Sequence, residues 1–372
     1  MISDPPRADA RADMAEGYPN GWFVVAFSGD VRPGRVSTHR LAGEDIVLYR
    51  TESGQLRAVG PHCPHLGAHL GHGGRVQGED LVCPFHAFAF GPDGRCVRNA
   101  YGTAPPRANL ARVPVTEADG MIFAWRHAGG DAPTWDVPVF DPTGAASRSQ
   151  WAKTMGGHPL DICENSIDLG HFVPVHGGQN VTMLSPPVAD GPHLHARIAF
   201  AGFYFLSGLH AEFDLHMYGV GYLAAEVTFP RLRLTVRELV CWTPVDPGRQ
   251  RLHKTTYARF HGAKRVPPRL NRLVSAVAAP LAGLGSVLQI RDDQPIWANR
   301  RYVAHPRLAQ GDGPVMQYRR WAEQFFPPVR PWASTPVTDF AASQAAPARQ
   351  AAATSEAATT SEAAAVAERV AS

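Results

Sequence analysis

The stretch "CPHLGAHLGHGGRVQGEDLVCPFH", Cys63 to His86, constrains this chain more than any other. Its glycines and prolines interrupt helix and strand alike, so it must fold as loops between short elements. The spacing inside it is specific: Cys63-Pro64-His65, a 17-residue gap, then Cys83-Pro84-Phe85-His86. Two Cys and two His can hold a tetrahedral zinc ion, and that is the plainer reading. Zinc fingers, however, pair Cys with Cys and His with His, whereas each short loop here offers one of each. This arrangement suits a two-iron cluster with both thiolates on one iron and both imidazoles on the other. Neutral imidazoles remove negative charge, so the reduced state is easier to reach than in an all-Cys cluster. His62, His69 and His72 fall outside the pattern and read as polar loop residues. Cys96, Cys163 and Cys241 lack partner spacing and read as buried thiols.

Five cysteines in 372 residues is an odd, low count that argues against a disulfide scaffold. The opening "MISDPPRADARADMAEGYPNGW" has no apolar run of the kind a secretion signal needs. Both point to a reducing cytoplasm, where cysteines more often serve metals. A formal charge of +3 without a Lys/Arg stripe disfavours nucleic acid as a partner. "VSAVAAPLAGLGSVLQI", Val274 to Ile290, is apolar, but it is short for a transmembrane span and carries Pro280, Gly283 and Gly285. It reads as a buried or partly exposed helix.

The chain divides into a loose tail (1–18), a small β domain (19–138), a second domain (139–335) and a disordered Ala/Ser/Glu-rich tail (336–372). "GWFVVAFSGD", "EDIVLYRTESGQLRAVG" and "GMIFAWRH" read as strands of the first domain. In the second, "DICENSIDLGHF" reads as a helical segment. "RLRLTVRE" places Leu232, Leu234 and Val236 on one strand face, and Pro267-Pro268 open a helix leading into "RDDQPIW". Phe203, Tyr204, Phe205, Phe213, Met217, Tyr218 and Tyr222 could line an apolar cavity, although such residues more often fill the inner face of a sheet. No Arg or Lys lies in "FAGFYFLSGLHAEFDLHMYGVGYLAAEV", which disfavours a carboxylate substrate anchored there.

A second metal pattern lies in "ENSIDLGHFVPVHGG", as Asn165-x-x-Asp168-x-x-His171-x(4)-His176. On a helix Asp168 and His171 share a face. His176 lies past Pro174, where the helix is expected to end, so the chain can turn and bring a second imidazole to the same point. Two imidazoles and a carboxylate on one side of a metal form the facial triad of non-haem Fe(II) oxygenases. A helix end with chance histidines is the bland alternative.

The Cys/His segment resembles the Rieske [2Fe–2S] motif. Followed by the Asn/Asp/His/His pattern, it resembles the oxygenase component of Rieske non-haem iron oxygenases. The resemblance makes Cys63, His65, Cys83 and His86 the cluster ligands and gives His171 and His176 to a mononuclear iron. It makes Asp168 the catalytic acid that links a cluster-ligand histidine of a neighbouring subunit to an iron-ligand histidine. The third iron ligand then lies downstream. In the branch containing 3-ketosteroid 9α-hydroxylases and cholesterol 7-desaturases it sits in Asp-x-x-Ile-Trp, which Asp293 matches, with Asp292 the near alternative. "GYPNGWF" and "DGPVMQYRRWAEQFFP" point to the same branch, and the resemblance spans about residues 18 to 327. Phe88 and Phe90 depart from it, standing in a segment that often carries Trp.

The resemblance implies an α+β fold: an all-β Rieske domain, then a helix-grip catalytic domain with a curved antiparallel sheet, assembled as a homotrimer. It implies an oxygenase that uses O2 and electrons from a separate NAD(P)H-dependent reductase, with or without a ferredoxin. No Gly-x-Gly-x-x-Gly follows a strand, which places any nicotinamide site on that other protein. The expected reaction is hydroxylation or desaturation of a hydrophobic, steroid- or sterol-like molecule. An aromatic or other natural-product substrate is the alternative. A non-catalytic electron carrier or lipid-binding protein is a third reading, but it would have no use for His171, His176 and Asp293 together.

Overall fold

Period-2 alternation of apolar and polar residues recurs along this chain, and sheets follow from it. A computed structural model describes residues 18–140, 148–202, 209–262, 267–300, 303 and 305–326. Except for Tyr18, the expected tails at 1–18 and 336–372 lie outside the described residues, as do Phe203, Tyr204 and Phe205.

The first part contains the short strands β1 Gly21–Phe27, β2 Val36–Leu41, β3 Glu44–Arg50, β4 Leu56–Val59, β5 Arg75–Gln77, β6 Asp80–Val82, β7 Ala89–Phe90, β8 Cys96–Arg98, β9 Val115–Ala118 and β10 Met121–Arg126. They pair antiparallel as β1–β10–β9, β2–β3–β4 and β5–β6–β7–β8. The second part is one large antiparallel sheet of β11 Arg148–Gly156, β12 Gln179–Asp190, β13 His193–Ala201, β14 His210–Tyr218, β15 Tyr222–Phe229, β16 Leu234–Asp246 and β17 Arg249–Phe260. Its order is β11–β17–β16–β15–β14–β13–β12. Four helices accompany it among the described residues: α1 Pro159–Asn165, α2 Phe172–His176, α3 Pro268–Asn299 and α4 Val315–Ala322.

The two faces of the large sheet have different tasks. Leu194, Ala196, Ile198, Phe200, Leu215 and Met217 join Trp297, Tyr318 and Trp321 in the inner core. On the outer face Tyr222, Ala224, Leu239, Cys241 and Tyr257 pack against Trp22, Val24, Phe123 and Trp125 of the first part. A glycine is needed at this junction: a Cβ at Gly221 would lie 2.6 Å from the Phe23 ring. The Tyr257 hydroxyl donates to the Asp119 carbonyl at 2.9 Å, and Ala42 N–H donates to the Pro244 carbonyl at 2.7 Å.

Several sequence expectations need correction. The helix expected over "DICENSIDLGHF" ends at Asn165, because Ser166 to Gly170 turn the chain before α2 begins. Asp168 therefore lies in a turn, and Pro174 sits within α2 instead of ending a helix. Leu232 belongs to a 3-10 turn ahead of β16, is exposed, and does not share a strand face with Leu234 and Val236. Tyr218 and Tyr222 pack with the outer-face cluster, whereas Phe213 and Met217 face the inner core. A cavity lined by all four is excluded.

The apolar run at Val274–Ile290 is part of a 32-residue helix, and α3 is long and apolar enough to cross a membrane by length and composition. Reading the run as too short for a span missed the flanking turns. One face of α3 is nevertheless built into the fold. Ser275 Oγ accepts from Phe260 N–H at 2.9 Å, Ser286 donates to Glu238 at 2.8 Å, and Gly283 lies against Ser149 and Thr256. Leu273, Val277, Leu281 and Leu284 are exposed on it.

Candidate functional site

Two loops carry the first donor set. Cys63 N–H bonds the Ala68 carbonyl and Gly67 N–H the Cys63 carbonyl, both at 2.9 Å, while Cys83 N–H bonds the Phe88 carbonyl at 2.8 Å. Each loop is thereby closed round its own cysteine. The loops touch where Gly73, at φ 92°, would put a Cβ 3.3 Å from the Pro84 side chain. At Gly74 a Cβ would fall 2.0 Å from the Leu70 carbonyl oxygen, so only glycine fits.

Cys63 and Cys83 are both buried, and burial, then the neighbouring Cys83, pushes the Cys63 thiol up to about 11. A metal bound there must displace those thiol protons. The imidazoles of His65 and His86 pair separately, with centroids 4.8 Å apart, and His65 stacks on Phe88 at 4.3 Å. Phe88 thus supports the His65 ring. Four donors sorted into a thiol pair and an imidazole pair fit a cluster with two unlike irons better than one tetrahedral ion. The imidazole side is partly exposed and bordered by exposed Leu66, Phe85 and Tyr101. Outside the set, His69 pairs with Asp45 at 3.3 Å and His62 with the Gly67 carbonyl at 3.1 Å, so both serve as loop residues. Cys96, Cys163 and Cys241 are buried free thiols.

The second donor set comes from three places. His171 caps α2 and His176 closes it, after which Gly177 at φ 66° ends the helix in the left-handed region. Asp293 points inward from α3, while Asp292 is exposed. The ligand atoms of His171, His176 and Asp293 all lie within 4.8 Å of one another, and His176 Nε2 is 3.3 Å from Asp293 Oδ2. His171 Nδ1–H donates to the Asp168 carbonyl at 2.6 Å, which turns Nε2 toward the other two donors. Burial lowers the His171 pKa, opposed by Asp293 and Asp168. Two imidazoles and a carboxylate match the donor set of a ferrous facial triad.

The Asp168 carboxylate stands 3.8 Å from His171 Nδ1, about a third exposed, with its pKa raised by burial against the pull of His171. Its carbonyl, and not its carboxylate, makes the short bond to His171. Asn165 contributes a contact that sequence reasoning missed: its Nδ2 donates to His171 Nε2 at 3.0 Å, on the side a metal would take. Behind the site, buried Glu164 accepts from Arg319 at 2.5 and 3.1 Å and from Arg300 at 2.8 Å. These bonds tie α1 to α4. Both members appear in quoted motifs, but residues 155 apart in sequence carry no spacing signal.

Comparison with known proteins agrees with this geometry. The family model for the Rieske [2Fe-2S] domain matches residues 21–114, and that for the 3-ketosteroid 9alpha-hydroxylase C-terminal domain matches residues 124–326. Cholesterol 7-desaturase nvd of Bombyx mori is 31% identical, over 83% of this chain and 70% of its own length. The probable 3-ketosteroid-9-alpha-monooxygenase oxygenase component of Rhodococcus rhodochrous is 28% identical, over 84% of this chain and 80% of its own. Among solved structures, NdmA of Pseudomonas putida CBB5 superposes with a TM-score of 0.64 at 16% identity, covering 85% of this chain and 92% of its own. Dicamba monooxygenase with non-heme iron and dicamba gives 0.59 at 18%, covering 82% and 96%. The expected α+β architecture, the [2Fe–2S] cluster and the mononuclear iron all accord with these relatives. The chain belongs to the Rieske non-haem iron oxygenases, in the branch defined by the 3-ketosteroid 9α-hydroxylase catalytic domain.

Proposed function

We propose that this oxygenase hydroxylates or desaturates a hydrophobic, steroid- or sterol-like molecule, using O2 and electrons from a separate NAD(P)H-dependent reductase. The carrying observation is the convergence of His171, His176 and Asp293, in a chain matched to the 3-ketosteroid 9α-hydroxylase domain. When bound, the [2Fe–2S] cluster supplies single electrons and the ferrous ion supplies O2 activation.

The chain's own residues divide the remaining work. Cys63, His65, Cys83 and His86 hold the cluster, with the thiols inside and the imidazoles toward the surface. His171, His176 and Asp293 hold the ferrous ion, and the Asp168 carbonyl keeps His171 in its metal-binding tautomer. The Asp168 carboxylate stays partly exposed beside His171, so it can accept a hydrogen bond from outside the chain. The apolar border of Leu66, Phe85 and Tyr101 round His65 and His86 suits docking against another subunit. These two surfaces support the homotrimer that the family resemblance implies, with the imidazole edge of one subunit against Asp168 of the next. Residues 19–138 then handle electrons and residues 139–335 the substrate. The working compartment is the cytoplasm, with α3 part of the catalytic fold and not a membrane span.

The substrate reading rests on the names of the relatives and on the match to the 3-ketosteroid 9alpha-hydroxylase domain, with the apolar helix α3 carrying Asp293 as further support. Aerobic turnover of a panel of sterols, ketosteroids and small aromatic acids with a surrogate reductase tests it. NAD(P)H consumption coupled to an oxidised steroid supports the proposal. Turnover of an aromatic acid, with no response to any steroid, overturns the substrate class and leaves the oxygenase assignment standing.

A further inference from the structure

A second gathering of metal-ligand atoms lies away from both centres, on the outer face of the large sheet. β13 and β14 send Leu194, Ala196, Leu215 and Met217 into the inner core, so His193, His195, Asp214 and His216 project to the other side. His195 lies directly opposite His216 across the strand pair. The ligand atoms of His195, Asp214 and His216 all lie within 4.8 Å of one another. We propose that His195, Asp214 and His216 form a binding site for a zinc-class divalent cation, with His193 orienting His216.

Four observations carry this. The polar face of a half-buried strand ordinarily bears dispersed, solvated side chains; here the imidazoles are pressed together. The His195 and His216 centroids are 4.6 Å apart, and those of His193 and His216 5.2 Å. Second, the donor spacing fits. Asp214 Oδ1 is 2.5 Å from His195 Nε2 and 3.5 Å from His216 Nε2. Ligands about 2 Å from a tetrahedral ion stand about 3.3 Å apart, so small side-chain rotations admit the ion.

Third, His193 Nε2 lies 3.0 Å from His216 Nδ1. If His216 donates its Nδ1 proton there, its Nε2 lone pair is left facing Asp214, which is the outer-shell arrangement found at metal-binding histidines. Fourth, the nearby arginines are engaged elsewhere, Arg197 with Glu212 at 3.3 Å and Arg237 with Glu226 at 2.6 Å. The described ion-pair partners of Asp214 are the two histidines. Two imidazoles and one carboxylate, partly exposed, leave a fourth position for water, and zinc is the ion such a set most readily takes at tetrahedral geometry.

The test uses the iron-loaded full-length protein. Zn2+ is added, excess is removed by dialysis, and zinc per chain is measured beside iron and sulfide. We expect about one zinc per chain in the wild type and in Asp293→Ala, and none in His195→Ala or His216→Ala. His193→Ala should weaken zinc binding by roughly 10–100-fold in chelator competition. The melting temperature should rise with Zn2+ in the wild type and stay fixed in His216→Ala. An unchanged Rieske spectrum in the variants verifies that they fold. Zinc uptake equal in wild type, His195→Ala and His216→Ala, or no uptake by the wild type, overturns the proposal.

Discussion

Asp168 separates ligation from support. Its carbonyl bonds His171 Nδ1 and its carboxylate stands 3.8 Å from that same nitrogen, apart from the three gathered ligand atoms, so Asp168→Asn preserves shape and removes only charge. Both metals should remain bound, while turnover falls by roughly 10–100-fold, the usual cost of losing an outer-shell partner. Steady-state rates beside iron content check this; loss of the mononuclear iron would make Asp168 a ligand instead. A second residue sets acid sensitivity. Burial drives the His253 pKa down to about 3, whereas an unfolded histidine titrates near 6.5. Between those values the unfolded chain binds a proton that the folded chain does not, so stability falls as the pH drops below about 6.5. The slope is at most about 1.4 kcal/mol per pH unit. Denaturant melts from pH 7 to 4.5 should show a flatter fall for His253→Gln than for wild type, and superimposable curves would clear His253. The meeting of Cys63 with Cys83 and of His65 with His86 was legible because each half of the pattern is local. Asp293 was legible only by resemblance, since nothing near it in the chain marks it as a partner of His176. Buried Glu164 and the arginines that meet it left no signal at all.

At the scale of elements, α3 is the beam that delivers Asp293. It packs tightly on the sheet at Gly283, where even a Cβ would stand 3.1 Å from Ser149 Oγ and 3.2 Å from Ser149 Cβ. Gly283→Val overfills that contact at a cost of about 1–3 kcal/mol and should tilt the helix away. Mononuclear iron content should fall while the Rieske spectrum holds, a split that metal analysis and visible absorption read together. Equal loss of both signals would instead indicate general unfolding. The start of this helix was legible from Pro267-Pro268. Its run into "RDDQPIW" was legible too, and packing on β11 and β17 holds it continuous through Pro280 and two glycines. The turn between α1 and α2 was missed for the converse reason. Residues 166–170 satisfy a helical pattern, but Gly170 N–H bonds the Asp168 carboxylate and Leu169 N–H bonds the Asp312 carbonyl, so these amides leave the helical ladder.

Across the molecule, the β-rich first part is joined to the catalytic sheet by a shared apolar layer, with Trp22 and Trp125 on one side and Tyr222 and Tyr257 on the other. No periodicity in either half announces that layer, because both faces of the sheet are partly covered and its strands carry apolar residues on both sides. Extended runs bounded by Gly, Asp or Pro revealed strands but not what lies against them. The two-site assignment gives a cluster to Cys63, His65, Cys83 and His86 and a separate iron to His171, His176 and Asp293. Iron and acid-labile sulfide analysis of purified wild type, Asp293→Ala and Asp292→Ala tests it most directly. About three irons and two sulfides per chain are expected in wild type and Asp292→Ala, and about two of each in Asp293→Ala, with the Rieske spectrum unchanged. A colourless protein holding one zinc, or an Asp293→Ala variant that keeps its third iron, would contradict it.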